Sequence, residues 1–148
     1  MPTTRADGLE IAYRAEGPPP GPDAPPPVLL VHGFASNAGI NWQSTGWIER
    51  LAAQGRRVLA PDLRGHGKSG APRDPALYVP ERMMADLFAV LDAEGVGRAD
   101  VFGYSMGARL ALAAALAAPG RVRRLVLGGV GETLLAPRDP EPVAQVLA

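Results

Sequence analysis

Four short apolar runs, "VLLV" at 28–31, "RVLA" at 57–60, "DVFG" at 100–103 and "RLVL" at 124–127, recur through the chain with helically spaced stretches between them. A strand that is apolar at successive positions has both faces covered, as the strands of a parallel sheet packed between helices do. The intervening segments supply the helices. Trp47, Ile48, Leu51 and Ala52 fall on one helical face, with Gly55 as a stop signal. Met84, Leu87, Phe88 and Leu91 repeat the i, i+3, i+4, i+7 spacing between Pro80 and Gly95. The third stretch, Ser105 to Ala118, is apolar almost all round apart from Arg109 and is expected to be buried against the sheet, closed by Pro119 and Gly120. Strand and helix alternating four times predict an α/β fold with a mostly parallel sheet and flanking helices.

Two polar-apolar pieces precede this pattern, Thr3 to Arg5 and Glu10 to Arg14, and Asp7-Gly8 between them is a hairpin signal. The stretch "GPPPGPDAPPP" at 17–27 lacks ladder N–H groups at its prolines and reads as a stiff surface loop. The sequence holds 15 Lys and Arg against 15 Asp and Glu, so no basic field attracts nucleic acid or an anionic membrane. A neutral small molecule is the better partner. No cysteine is present and the two histidines stand apart in sequence, so neither a disulfide nor a metal site is indicated, and no cofactor is implied. The first ten residues carry no apolar signal-peptide core, and the longest apolar run is far shorter than the ~20 residues that span a bilayer. A cytoplasmic location is expected from this.

Ligands of open α/β sheets bind beyond the carboxyl ends of the strands. The four ends here carry "HGFASN", "PDLRGHGKSG", "GYSMG" and "GGVGE". "GYSMG" has the form G-x-S-x-G, in which Gly103 and Gly107 let a strand turn sharply into a helix and leave the hydroxyl of Ser105 projecting from the top of the sheet. The bland reading of Ser105 is a helix cap between helix-packing glycines. "GHGKS" resembles the end of a phosphate-binding loop, yet Asp62 stands where that loop needs glycine, and "GAPRDP" follows where a helix should open.

"VHGF", "DLRGHGKS" and "GYSMG", in this order on these elements, resemble the N-terminal half of an α/β-hydrolase. The resemblance implies that Ser105 is the catalytic nucleophile, and that the backbone N–H groups of Phe34 and Met106 form the oxyanion hole. It assigns His32, Gly33, Asp62, Arg64, Gly65, His66 and Gly67 to shaping the loops around the site. Relatives that open epoxides or displace halide use aspartate at the elbow, so the serine implies ester, lactone or related acyl substrates. The single glycine of "HGF" resembles the smaller esterase, lactonase and cofactor-free peroxidase-like branches.

A serine hydroxyl needs a general base, and the family order is serine, then acid, then histidine. Both histidines, His32 and His66, precede Ser105, and the carboxylates after it are Glu132, Asp139 and Glu141. Residues 1–136 are accordingly read as the N-terminal part of the hydrolase core, and 137–148 as the start of a cap. A complete domain of this kind runs ~200–250 residues, so the chain is expected to be truncated after its sixth strand. Self-association, or a second chain that completes the fold, is expected of such a piece, because the "RLVL" strand is left as an edge. The alternative is a non-catalytic fragment or interaction module that lacks the base.

Overall fold

The computed structural model describes residues 1–132. Six strands form one sheet: β1 (Thr3–Ala6), β2 (Leu9–Glu16), β3 (Val28–Val31), β4 (Val58–Pro61), β5 (Ala99–Tyr104) and β6 (Val122–Gly128). Their order is β1-β2-β4-β3-β5-β6. β1 and β2 pair antiparallel, β2 runs antiparallel to β4, and β3 to β6 are mutually parallel. Asp7 and Gly8 turn the first hairpin with φ of 57° and 76°, the twin left-handed residues of a type I′ turn.

β3, β4 and β5 each supply both sides of the core, whereas β6 supplies one. Val28 and Leu30 of β3 face a cluster with Val58 and Ala60 of β4, Trp42, and Ile48 of helix α1 (Trp47–Ala52). Leu29 and Val31 face the opposite cluster, with Leu87 and Leu91 of helix α2 (Pro80–Ala93) and Leu110 and Ala111 of helix α3 (Met106–Ala117). This two-sided burial is why the strands read as unbroken apolar runs.

Helix α3 lies against the sheet as expected, and does so through one side of its surface. Gly107, Ala108, Leu110, Ala111 and Ala114 are buried, but Leu116 in its last turn is 76% exposed. A helix lying on a sheet covers one stripe of its surface, and the many alanines of α3 carry too little apolar area to distinguish the covered side in sequence. Two short elements were not anticipated: a π-helical turn at Gly39–Gln43, closed by the Ser44 N–H bond to the Gly39 carbonyl, and a 3-10 turn at Pro75–Tyr78, capped by Asp74. The segment after Ser69 carries no helix until residue 75. Among the described residues, β6 forms one margin of the sheet, with Val126 exposed. The cap expected at 137–148, with Asp139 and Glu141, lies outside the described residues. Among the described residues, no helix is long and apolar enough to cross a membrane.

At the amino end of the parallel strands, Asp100 is held between two arginines. Arg123 approaches both carboxylate oxygens at 2.8 and 2.7 Å, and Arg56 meets one of them. Partial burial pushes this carboxyl up, but Arg123 and Arg56 outweigh it and hold the group below the ordinary aspartate range. A carboxyl depressed in the folded state adds stability above its unfolded pKa of about 4, and that stability is lost as pH falls through the folded value. The gap in melting temperature between the wild-type chain and Asp100→Asn is therefore expected to be widest near neutrality and to narrow below about pH 4. A gap that stays constant down to the acid limb would contradict this.

Candidate active site

Ser105 is the residue between β5 and α3, with φ 52° and ψ −112°. A non-glycine residue at positive φ stores strain of about 1–3 kcal/mol, and such strain persists only where its surroundings over-determine it. Here they do. The Ser105 N–H donates to the Gly128 carbonyl of β6 at 2.9 Å, while the Ser105 carbonyl accepts from Ala108 and Arg109 in the first turn of α3. A Cβ on Gly103 would lie 2.3 Å from the Gly107 carbonyl oxygen, and one on Gly107 would lie 2.2 Å from the Val31 carbonyl oxygen. The two glycines of "GYSMG" are thus fixed by the close passage of α3 over β5 and β3, and the turn they permit lifts Ser105 out of the sheet.

Ser105 lies in a cleft of about 630 Å³ whose lining includes Gly33, Phe34, Asn41, Trp42, Trp47, Phe102 and Tyr104. Trp42 and Trp47 both pack on Phe102, with ring centroids 4.8 and 5.2 Å away, so one wall is aromatic. Phe34 is 71% exposed, and its side chain stands at the mouth. Among the described residues, the backbone N–H groups of Phe34 and Met106 have no protein acceptor. Met106 opens α3, where the first amides are free by construction; its side chain packs against the core.

The loop holding Phe34 is fixed by groups far away in sequence. His32 is fully buried; the Leu63 N–H donates to its Nε2 at 2.9 Å, so Nδ1 carries the proton and donates to the Gly33 carbonyl at 2.7 Å. Burial holds the His32 imidazole below its ordinary pKa, which keeps it in this neutral form. Asp62, also buried, accepts from Ala38 N–H through Oδ1 and from Lys68 N–H through Oδ2, at 2.8 and 2.9 Å. It ties the "HGFASN" loop to "DLRGHGKSG", and Gly65 and Gly67 carry the second loop round it with φ of 78° and 55°.

Arg64 makes a bidentate pair with Asp86 of α2 at 2.6 and 2.7 Å, both side chains 1% exposed. The Asp86 hydrogen bonds raise the arginine pKa and keep it charged. His66 Nδ1–H donates to the Arg64 carbonyl at 3.1 Å, and its ring packs edge-on against His32 and Phe34. It is not among the residues lining the cleft at Ser105. Glu132 is exposed beyond β6. Ser105, Phe34 and Gly33 are thereby brought together, whereas His32, Asp62 and Arg64 brace the loops from behind. Sequence reasoning passed over Asn41, whose Oδ1 accepts the Gly33 N–H at 3.0 Å.

A family model for the alpha/beta hydrolase fold matches residues 26–145. A 2-hydroxymuconate semialdehyde hydrolase of Pseudomonas putida is 45% identical over 108 residues, which are 71% of this chain and 37% of that protein. An epoxide hydrolase of Caballeronia sordidicola is 39% identical over 100 residues, 68% of this chain and 30% of that one. Among solved structures, an epoxide hydrolase from Vigna radiata superposes with a TM-score of 0.79 at 29% identity, over 94% of this chain and 40% of that one. A meta-cleavage product hydrolase from Pseudomonas fluorescens gives a TM-score of 0.72 at 28% identity, over 84% and 43%. The chain thus spans well under half the length of these relatives. With the sheet order, the strained serine turn and the matched motifs all in agreement, the chain belongs to the alpha/beta hydrolase family.

Proposed function

We propose that this chain carries the nucleophile and the oxyanion-binding half of a serine hydrolase acting on carboxylic esters, lactones or related acyl substrates. The observation that carries the reading is Ser105 on its strained turn, in a cleft beside the unengaged N–H groups of Phe34 and Met106. A base removes the Ser105 hydroxyl proton as Oγ attacks the substrate carbonyl carbon, and the carbonyl electrons move onto oxygen. The two fixed N–H donors stabilise that oxyanion. Its collapse expels the alcohol, which takes the proton back from the base, and water then releases the acid from Ser105 by the same steps.

The base is a histidine supplied from outside residues 1–132. Both His32 ring nitrogens are committed to the loops, and His66 packs edge-on against Phe34 and is not among the residues lining the cleft. Without such a base, the oxyanion site and binding alone leave a residual acceleration of ~10³–10⁴ over water. Serine at the elbow supports carbonyl attack over epoxide opening, for which the family resemblance implies aspartate. The 45% identity to a 2-hydroxymuconate semialdehyde hydrolase favours a second substrate class, an unsaturated acid bearing an aldehyde carbonyl attacked through the same serine.

The test uses the longest reading frame that contains these residues. A fluorophosphonate probe is expected to label it at Ser105, located by peptide mass spectrometry, with Ser105→Ala unlabelled. A p-nitrophenyl ester and 2-hydroxymuconate semialdehyde, compared as substrates, separate the two classes. Ligand binding without turnover, unchanged in Ser105→Ala, would instead identify an interaction module.

A further inference from the structure

The geometry points to Asn41 as a positioning residue for the oxyanion site, acting through the peptide groups on either side of Gly33; this rests on the serine-hydrolase reading above. Phe34 N–H belongs to the peptide whose carbonyl is that of Gly33. In a trans peptide, C=O and N–H point in opposite directions, so anchoring the carbonyl aims the N–H. His32 Nδ1–H anchors that carbonyl from the buried side at 2.7 Å. The preceding peptide, which carries the Gly33 N–H, is anchored separately by Asn41 Oδ1 at 3.0 Å.

Both anchors are needed because the residue between the two peptides is glycine. Its φ and ψ rotate more freely than those of any other residue. A Cβ there would come within 3.4 Å of Ser105 Cβ and 3.3 Å of Tyr104 Cδ1, so glycine gives the loop its close approach to the nucleophile. The loop therefore passes tightly against the nucleophile with its most flexible residue foremost, and two side chains remove that freedom. His32 fixes one plane and Asn41 the other. With only one plane held, Gly33 still swivels and the Phe34 N–H leaves its line.

Asn41 is delivered by the π-helical turn at Gly39–Gln43, an uncommon element that recurs at functional sites. The turn sets Asn41 and Trp42 both against the cleft, and Trp42 is anchored in the core cluster beneath it. Asn41 makes no claim on the proton of Ser105. Its side-chain oxygen is spent on a backbone amide, and its contribution is preorganisation, felt chiefly when negative charge develops on the substrate oxygen.

The test compares Asn41→Leu, which removes the acceptor at similar volume, with Asn41→Asp, which keeps it. In the wild-type protein the Gly33 amide is expected to exchange with solvent at least tenfold more slowly than the exposed amides of its loop. That protection should persist in Asn41→Asp and vanish in Asn41→Leu. With ester substrate, Asn41→Leu should lower kcat about 10–100-fold with KM within about twofold. Affinity for a boronic acid that forms a tetrahedral adduct on Ser105 should fall in parallel. A merely structural role would lower the melting temperature and the titratable fraction of sites, leaving kcat per site and boronate affinity unchanged, and that result overturns the proposal. So does an unprotected Gly33 amide in the wild type, a measurement that needs no variant to fold. If Ser105→Ala retains full turnover, the serine-hydrolase reading has failed; if it abolishes turnover while Asn41→Leu keeps its kcat, only the role of Asn41 has failed.

Discussion

Asp86→Ala is expected to lower unfolding stability by about 3–5 kcal/mol, because it leaves the Arg64 guanidinium charged and without its counter-ion in a site where both side chains are 1% exposed. Arg64 cannot escape by losing its proton, nor by swinging out, since it also donates to the Leu77 and Arg82 carbonyls. Those bonds hold the loop after β4 to the 3-10 turn and to α2. The double variant Arg64→Met, Asp86→Leu is expected to recover most of the loss, since two apolar groups in place of a buried pair are often neutral. The two abandoned carbonyls cost about 1 kcal/mol each. Urea unfolding midpoints of the single and double variants check this; Asp86→Ala within about 1 kcal/mol of wild type would sink it.

Gly107→Ala is expected to cost about 3 kcal/mol, at the upper end for overpacking. The new methyl would lie 2.2 Å from the Val31 carbonyl oxygen and 2.5 Å from that of His32. Both are backbone atoms, with no side-chain rotamer to yield. The gain of about 1 kcal/mol in helix propensity from glycine to alanine is too small to offset it. α3 must lift away from β3, carrying Ser105 with it, and probe labelling of Ser105 should slow about 100-fold. Gly120→Ala serves as control, because nothing lies within 4 Å of its added Cβ. Unfolding of Gly107→Ala at or above the wild-type midpoint would refute the close-packing argument.

What could be read from the sequence follows from how local its causes are. The strands at 28–31 and 58–61 were visible because each residue there is buried from one side or the other. Ser105 was visible because two glycines, two residues away on either side, mark the turn. Asn41 was not, since "SNAGINWQSTG" lacks any helical or strand period and its bond to Gly33 belongs to a π turn that no simple spacing announces. The Arg64 to Asp86 pair joins a loop to a helix 22 positions on. Nothing in either local pattern distinguishes those two charges from solvated ones. Which side of α3 faces outward was not legible, because its alanines are equally at home on either side.

The sheet order β4-β3-β5 has a consequence for when the proposed nucleophile, Ser105, becomes reactive. Ser105 and Met106 arise from the end of β5, Phe34 from the end of β3, and the two strands meet in a single alignment, Val31 opposite Gly103. Sliding one strand by a residue displaces one donor by about 3.3 Å and turns its side chains to the wrong face. Neither segment alone brings the Phe34 and Met106 N–H groups of the proposed oxyanion site beside Ser105. Covalent labelling of Ser105 followed during refolding would therefore work as a clock for the docking of these two strands, starting only once their alignment is correct.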